Sequence, residues 1–398
     1  MDTNGKLSIW MKVLQKKADI IQETRTILKE HHLCDNCLGR IFAPKLGLTS
    51  YGRLGNKIRS TLKQKNPKSC YICKNLMSKL DLQLDKMLAM SKEYEFSSFL
   101  IGAILQPSIL DRDDQIRSKF KLKGIHSIKN DITREIGKRF GRKTKTIVNY
   151  QNPDIVFTLD FKNEECEIKP KPVFLSGRYT KTVRGIPQKQ RPCENCGGKG
   201  CYVCEFHGIS EFESVEGKMA KFLYEKFGAQ QAKITWIGSE DETSLVLGKG
   251  RPFFAKIINP HKRKIRSEKK ISLDGITIHN LRIIEKIPSD IIRFKSEIEM
   301  EIETEKEITQ SQLKSLYKLE KQTISVYENS GKKNQKKIYH IKYKKMSDNS
   351  FSVFMEADGG VPLKRFVNGS EVEPSLTSML ENQCTCKVFD FHEISLTN

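Results

Sequence analysis

The feature that most constrains what this chain can fold into is its pattern of cysteines. Eight of the 11 cysteines stand in CxxC pairs, and two such pairs supply the four thiolates of a closed tetrahedral Zn²⁺ site. A closed site is structural, because no ligand position is left for a substrate. The sequence predicts one set near the N-terminus and a second in a glycine-rich segment: Cys34, Cys37, Cys70 and Cys73, then Cys193, Cys196, Cys201 and Cys204.

The second set has another interpretation, which is reduced thiols in a glycine-rich loop. Its central GGKG permits the chain reversal that two adjacent metal-binding turns need. The remaining three cysteines have no partner pair in the sequence, and we assign no role to Cys166, Cys384 and Cys386. The sequence therefore predicts one structural Zn²⁺ at the first set, and the second set has the ligands to bind another.

The length of 398 residues predicts two or three domains. Hydrophobic residues make up 37% of the chain, which is enough for packed cores, and no run approaches the ~20 apolar residues of a membrane span. Residues 1–17 lack the apolar segment and cleavage site of a signal peptide. We therefore expect a soluble, cytoplasmic protein, or a nuclear one if the source has a nucleus.

The charge is strongly basic, with 70 Lys and Arg against 48 Asp and Glu and a formal net charge of +22. A basic surface attracts polyanions, so nucleic acid is the favoured partner. An anionic membrane is less favoured because no amphipathic anchor is evident. General lysine richness is the alternative explanation, but the basic residues cluster between Arg117 and Lys145 and between Lys249 and Lys270.

Periodicity predicts an α+β protein with three parts. The first is mostly helical and carries the first cysteine set, the second is a small α/β module with an exposed basic helix at 128–140, and the third is larger, with a mixed, mainly antiparallel sheet flanked by helices. Strict alternation over Ser296–Thr304 predicts a strand with one exposed and one packed face. The predicted bounds are 1–90, 91–172 and 173–398.

Most cofactor motifs are missing from the sequence. It contains no GxxxxGK[ST], no GxGxxG after a strand and no HExxH, and its histidines form no set with ligand spacing. One local feature remains, the segment GSEDETSLVLGKGRPF, which places Glu240, Asp241 and Glu242 directly after an apolar strand. A solvated acidic turn is the simpler interpretation. Further on, GKGRPF supplies two glycines and two cations, Lys249 and Arg251, where a phosphate could bind.

This segment resembles the signature of the pseudouridine synthase family that modifies positions 54 and 55 in the T-loop of archaeal tRNA. Further motifs occur in the order found in that family: SGRYTKTVRGIPQ, CENCGGKGCYVC, KIYHIKY and GGVPLKRFVNG. The resemblance covers roughly residues 150–390. The basic helix and NPDIVFTLDF resemble the THUMP-containing RNA-binding module of the family.

The resemblance implies that Asp241 is the catalytic residue of a reaction without a cofactor or a catalytic metal. A single ionised carboxylate beside a flipped uridine can be the nucleophile or the base, toward the uracil ring or the ribose. It also implies that Tyr339 stacks on the base, that Leu363 packs against it, and that Lys364 pairs with the carboxylate. If GGVPLKRF is a strand, Arg365 is the alternative partner, since neighbouring strand residues point to opposite faces.

Basic residues are the candidates for tRNA phosphate contacts. They are Lys138, Arg139 and Arg142 on the basic helix, Arg178 and Arg184 in SGRYTKTVRGIPQ, and Lys249 and Arg251 in GKGRPF. The chain departs from the family signature at Ser239, Thr243 and Leu245, where arginine, aspartate and arginine are usual. Lys249 and Arg251 are candidates to replace the missing arginine.

These departures keep a second hypothesis open, a tRNA-binding or chaperone protein of the same fold without catalysis. A third, a THUMP-linked methyltransferase or thiolase, would require an S-adenosylmethionine or ATP loop that the sequence lacks. The sequence indicates no protein partner.

Overall fold

A computed structural model describes residues 18–46, 50–265, 269–328 and 331–397. The chain divides into two compact units, Met1–Lys171 and Pro172–Asn398. The N-terminal stretch 1–17, for which we expect no targeting signal, lies outside the described residues. No helix among the described residues is both long and apolar enough to span a membrane. The predicted boundaries at 90 and 172 stay predictions.

The first unit combines six helices among its described residues with a four-stranded sheet. The helices are α1 (18–30), α2 (Asp35–Leu46), α3 (Tyr51–Thr61), α4 (Leu80–Ser91), α5 (Pro107–Lys119) and α6 (Ile128–Thr144). The strands are β1 (Ser98–Ile104), β2 (Ile147–Val148), β3 (Ile155–Asp160) and β4 (Glu165–Pro170), in the order β2-β1-β3-β4. Strand β1 runs parallel to β2 and β3, and β4 runs antiparallel to β3. The sequence did not predict α2 and α5.

Helix α6 has clear local causes. Ser127 is its N-cap and accepts a hydrogen bond from the backbone N–H of Asn130 at 3.3 Å, and Lys145 ends the helix with a left-handed φ of 58°. Its apolar side packs on the sheet through Phe140, whose ring is 4.8 Å from Phe99 and 5.1 Å from Phe157. The basic residues of the helix are thereby left on the side that faces away from the core.

The second unit contains one large sheet. Its strands are β5 (Val173–Lys181), β6 (Gln231–Trp236), β7 (Val246–Ile258), β8 (Lys270–Leu273), β9 (Ile276–Ile284), β10 (Arg293–Thr304), β11 (Thr323–Tyr327), β12 (Lys333–Lys345), β13 (Ser350–Asp358), β14 (Val372–Glu373) and β15 (Cys384–Thr397). The order is β14-β11-β12-β13-β10-β15-β7-β5-β9-β8, and β6 pairs with β7. Among the described residues of this unit, four α-helices accompany the sheet: α7 (Val215–Phe227), α8 (Gln310–Ser315), α9 (Leu363–Asn368) and α10 (Leu376–Leu380).

Most strand pairs in this sheet are antiparallel, and β15 meets β7 in parallel at Phe391 and Val246. The expected α+β class with a mixed, mainly antiparallel sheet is confirmed. The alternation in β10 is also confirmed, because Ile298, Met300 and Ile302 are buried while the intervening glutamates face outward.

Two expectations for this unit were wrong. The GGVPLKRF segment is not a strand: Pro362 precedes helix α9, and Gly369 ends it with a φ of 84°. Strands β8 and β9 were not predicted. In β9 the alternation is broken at Asn280, whose φ of 51° is left-handed, so the periodic signal is weak.

Candidate active site and thiol clusters

Asp241 lies in the loop of residues 237–245, which joins β6 to β7. Its Oδ2 accepts a hydrogen bond from Lys364 Nζ at 2.7 Å. Its Oδ1 accepts two, from the backbone N–H of Thr243 at 3.1 Å and from the Thr243 hydroxyl at 2.8 Å. The side chain of Asp241 is 26% exposed, so both oxygens are held while one side of the carboxylate stays accessible.

The environment of Asp241 favours its ionised form. Burial raises the pKa of this carboxyl, but the hydrogen bonds from Lys364 and Thr243 outweigh burial and lower the pKa to about 2. The same bond to Asp241 raises the pKa of Lys364. Asp241 is therefore a carboxylate at every pH at which the protein is expected to be folded.

Helix α9 decides between the two predicted cationic partners. Because the segment is helical, Lys364 projects toward Asp241, whereas Arg365 donates to the Tyr327 carbonyl at 2.6 Å and pairs with Glu371. Leu363, at the start of α9, is 5% exposed and belongs to the core. The side chain next to Asp241 is therefore that of Lys364.

Tyr339 lies on β12, with its hydroxyl 2.9 Å from Asp358 Oδ1. That hydrogen bond raises the pKa of the phenol. The Lys295 ammonium is 3.4 Å from the centre of the ring. Phe294, the neighbour of Lys295, lies against Gly238 at the start of the 237–245 loop, since a Cβ there would be 2.7 Å from its ring. Among the described residues, no hydrogen bond joins Tyr339 to Asp241.

Beneath Asp241 lies a buried charged cluster that we call the Glu240 cluster, formed by Glu240, Lys181, Arg251 and Tyr179. The side chain of Glu240 is fully buried, with Lys181 Nζ 3.3 Å from Oε1 and Arg251 Nε 3.3 Å from Oε2. Tyr179 donates its hydroxyl proton to Oε2 at 2.9 Å. Arg251 is 0% exposed, so the expectation that it contacts phosphate is wrong.

A single glycine explains why Lys249 and Arg251 differ. Gly250 between them has a φ of 79°, and a Cβ at this position would lie 2.4 Å from the Tyr179 carbonyl oxygen. This conformation interrupts the regular alternation of β7. The Lys249 side chain is 79% exposed, with its ammonium 3.6 Å from Glu393, and remains accessible to a ligand.

The two arginines of SGRYTKTVRGIPQ make mostly internal contacts. Arg178 donates to the Lys249 carbonyl at 2.9 Å, to the Gly250 carbonyl at 2.7 Å and to the Ile394 carbonyl, so its guanidinium holds backbone. Arg184 forms a two-pronged ion pair with Asp390, at 2.7 Å to each oxygen, and its side chain is 42% exposed. Of the two, Arg184 is the more available to a ligand.

In the first unit, the three predicted basic residues lie on α6. Lys138 Nζ is 3.3 Å from Glu135 and Arg139 is 2.7 Å from Asp81, while Arg142 is exposed and pairs with no carboxylate in the described part of the chain. A cleft of about 420 Å³ lies between β1, β2 and this helix, with Lys138 among its lining residues.

Sequence reasoning missed the importance of Tyr179 and Lys181 and gave Glu240 no role of its own. A signal was present, because Tyr179 and Lys181 stand two apart on a strand and share its buried face. A lysine in phase with core residues requires a buried anion or a set of carbonyl groups. Thr243, noted only as a departure from a family pattern, supplies both donors to Asp241 Oδ1.

The eight predicted metal ligands form two groups, each with its Sγ atoms within 4.8 Å of one another. In the first group, three of the four thiols are buried in the core of the first unit: Cys37, Cys70 and Cys73. In the second, the backbone N–H groups of Gly200 and Gly208 donate to the sulfurs of Cys196 and Cys204 at 3.3 and 3.2 Å. Four thiols without an oxygen ligand fit a tetrahedral Zn²⁺.

Comparisons with known proteins show which family the chain matches. The family model described as "Pus10, C-terminal" matches residues 174–395, and "Pus10 THUMP domain, archaeal" matches residues 84–160. The tRNA pseudouridine synthase Pus10 of Nitrosopumilus maritimus is 48% identical over 95% of this chain and 98% of its own length. Its namesake from Cenarchaeum symbiosum is 36% identical over 92% of this chain and 90% of its own length.

A more distant relative, the tRNA pseudouridine synthase Pus10 of Methanocaldococcus jannaschii, is 31% identical and covers 94% of each chain. Among solved structures, a Cbf5-Nop10-Gar1 complex matches 55% of this chain and 48% of its own, with 7% identity and a TM-score of 0.30. That structural likeness is too low to carry an argument, whereas identity over nearly the whole chain is decisive. The chain therefore belongs to the Pus10 family of tRNA pseudouridine synthases.

Proposed function

We propose that this protein converts uridine to pseudouridine in the T-loop of tRNA, at position 54, 55 or both, with Asp241 as the catalytic residue. The observation that carries the proposal is the state of Asp241. It is an ionised, partly accessible carboxylate fixed by Lys364 and Thr243, in the segment that resembles the family signature. Its neighbour Glu240 is fully buried and cannot reach a base.

The reaction needs only groups that the chain supplies. The bond from uracil N1 to ribose C1′ breaks, the base turns, and a bond from C5 to C1′ forms, while C5 loses a proton and N1 gains one. Atoms and electrons balance within the substrate, so neither a redox cofactor nor a catalytic metal is required. A flipped uridine beside Asp241 would meet a nucleophile or base that is already charged.

The other predicted site residues have supporting roles in this proposal. Lys364 keeps Asp241 ionised, and Leu363, the preceding residue of the same helix, is assigned to apolar contact with the base. The Tyr339 ring is assigned to stacking on the base. Its hydroxyl is engaged by Asp358, which fixes the orientation of the ring.

Recognition of tRNA is assigned chiefly to phosphate contacts, since folded tRNA offers few readable base edges. The accessible cations are Arg142 on α6, with Lys138 and Arg139 on the same helix, and Lys249 and Arg184 in the second unit. A tRNA substrate supports our proposal that the protein acts in the cytoplasm.

Both thiol groups are assigned structural Zn²⁺. The first would hold together the core of its unit, and the second a local turn. Treatment with a chelator strong enough to strip zinc should release two equivalents of metal per chain and lower the unfolding temperature, without removing any group that acts on uridine. A metal content near zero in the purified protein would refute this assignment.

The decisive experiment incubates the protein, without a cofactor, with an unmodified tRNA transcript and maps pseudouridine by carbodiimide-blocked primer extension. Asp241→Ala should give no product while its affinity for tRNA stays close to that of the wild type. Glu242→Ala is the matched control, because it removes an exposed carboxylate from the same loop, and it should retain activity.

Two outcomes would contradict the proposal. Product from Asp241→Ala would remove the catalytic assignment. Tight binding without product from the wild type would favour the tRNA-binding alternative, for which Ser239 and Leu245 are the relevant departures; Ser239→Arg is then the first variant to assay for a gain of product.

A further inference from the structure

The Lys181 side chain is fully buried at the end of β5, and its ammonium contacts more backbone than side chain. Nζ donates to the carbonyl oxygens of Ile186 at 2.9 Å, Asp241 at 3.0 Å and Glu242 at 3.3 Å. Glu240 Oε1 lies 3.3 Å away. One buried cation therefore joins β5 to two consecutive peptide groups of the loop that carries Asp241.

Charge neutralisation of Glu240 does not account for Lys181. Glu240 already has Arg251 as a buried cationic partner and receives a hydrogen bond from Tyr179. Arg251 in turn donates to the Ile237 carbonyl at 3.0 Å and lies 4.3 Å from the Phe391 ring centre, while its Nη2 has no hydrogen-bond partner among the described residues. The Lys181 ammonium points instead at the carbonyl oxygens of the loop and donates hydrogen bonds to them.

The geometry of one peptide group links Lys181 to the carboxylate of Asp241. The Glu242 carbonyl, which accepts from Lys181, belongs to the same planar peptide unit as the Thr243 N–H, which donates to Asp241 Oδ1. The backbone N–H of Gly185 donates to this carbonyl as well, at 2.9 Å. Fixing the carbonyl fixes the direction of the N–H, and hence the position of Oδ1.

The geometry points to Lys181 as a positioning residue for the reaction: it holds the backbone on either side of Glu242 so that the Asp241 carboxylate keeps one orientation toward the bound uridine. This inference rests on the proposed function of Asp241. Lys181 touches no substrate, and it acts through Asp241. Loss of its ammonium should leave the Glu240–Arg251 pair balanced and the fold intact, while the carboxylate becomes mobile.

The test compares Lys181→Met with the wild type under single-turnover conditions, with enzyme in excess over an unmodified tRNA transcript. A displacement of a catalytic group by about 1 Å can cost about 10²-fold in rate, so a loss of that order is expected at saturating enzyme. The dissociation constant for tRNA should not change. The acid limb of the rate profile should move to higher pH, because a weaker Thr243 hydrogen bond raises the pKa of Asp241.

Lys218→Met is the matched control. Lys218 is also a largely buried lysine of the second unit, with its side chain 14% exposed and its ammonium 2.8 Å from Asp274. Within the described part of the chain, no hydrogen bond or ion pair joins it to the 237–245 loop. The Lys218→Met variant should be somewhat less stable than the wild type but should keep the wild-type single-turnover rate. If Lys181→Met does not fold, Lys181→Gln, which keeps one donor, is used instead, with a smaller expected loss of about tenfold.

Asp241→Ala is assayed beside these variants to separate the two proposals. An inactive Asp241→Ala together with wild-type rate and pH profile in the folded Lys181 variant would overturn the positioning role alone. An active Asp241→Ala would overturn both, since Lys181 would have nothing to position. A rate loss in Lys218→Met equal to that in Lys181→Met would also overturn the inference, because it would reflect general destabilisation.

Discussion

Both units bury charged side chains, but the two sets of side chains connect different kinds of structural element. In the first unit, Arg40 is 1% exposed, pairs with Asp113 and donates to the His126 carbonyl at 2.6 Å. Asp113 in turn accepts from the backbone N–H of Ile128 at 3.0 Å. This network joins α2, α5 and the first residue of α6. In the second unit, the Glu240 cluster joins two strands, β5 and β7, to one loop.

This difference indicates which property of each unit a substitution in its buried charges should change. A buried ion pair that joins helices holds them together and so keeps their basic surface in place. Its loss should therefore reduce stability and tRNA binding together. A buried cluster beneath a partly exposed carboxylate determines the orientation of one group, so its loss should change the rate more than the affinity. The following variants test that contrast, from the largest expected effect to the smallest.

Arg40→Met should give the largest effect, a loss of about 3 kcal/mol in the unfolding free energy of the first unit, because the buried Asp113 would lose its nearer cation and keep only Arg117, 3.6 Å from Oδ2. Hydrogen exchange of peptides from α6 measures it. Lys45→Met is the control: Lys45 and Glu23 form a pair that is 44% and 43% exposed, so its loss should cost at most about 1 kcal/mol. Equal losses in the two variants would break the comparison.

Lys364→Met should change the pH dependence of the reaction. In the wild type the pKa of Asp241 is about 2, so the rate should not fall at mildly acidic pH. Without the cation, this pKa should rise, and kcat/KM should fall about tenfold for each pH unit below the new value. Lys364→Arg keeps a cation and should keep the flat profile. A flat profile for Lys364→Met would contradict the assigned role.

Asp131→Asn should stabilise the first unit at neutral pH. Burial raises the pKa of Asp131 to about 6, against the opposing charges of Arg40 and Arg134. The folded state therefore keeps a proton that the unfolded state has already lost. The stabilisation from the retained proton is complete below the unfolded pKa and is lost as pH rises through about 6. Above that pH the buried charge costs about 3 kcal/mol.

The measurement for Asp131→Asn is the unfolding free energy as a function of pH. The gain should be largest above pH 7 and should shrink as pH falls through 6. Asp114→Asn, which changes a carboxylate that is 65% exposed on α5, should show no such dependence. A pH-independent gain would mean that Asp131 is not protonated in the folded state.

Arg142→Gln should have the smallest effect. If this exposed arginine contacts one phosphate, its loss should reduce the slope of log K against log salt by about one unit. The single-turnover rate at saturating protein should not change, since the first unit contributes no group to the reaction. Lys318→Gln, which changes an exposed lysine in the second unit, should leave the slope unchanged.

Much of the fold could be predicted from the sequence. The cysteine spacing grouped the eight thiols as the structure has them, and the alternation in β10 identified its buried face. These features are local, because a CxxC turn and a two-residue period are properties of adjacent residues. The family could also be identified, since its motifs are short contiguous runs.

The candidate site was only partly predictable. Glu240, Asp241 and Glu242 are equivalent as sequence, yet one is buried in a charged cluster, one is held at the surface and one is exposed. Their separation depends on Tyr179 and Lys181, roughly 60 residues earlier in the chain. Sequence periodicity contains no information about such a contact.

The amino-acid sequence by itself determined three features of the protein. They are two sets of four thiols, a strongly basic charge and one acidic segment after an apolar strand. It determined these because charge, ligand type and short-range periodicity are carried by residue identity. Tertiary structure alone decided which carboxylate is accessible, that Lys364 rather than Arg365 reaches it, and that Arg251 is internal. Those outcomes depend on burial and on distances between strands far apart in the sequence, and they arise only when β5, β7 and α9 pack together.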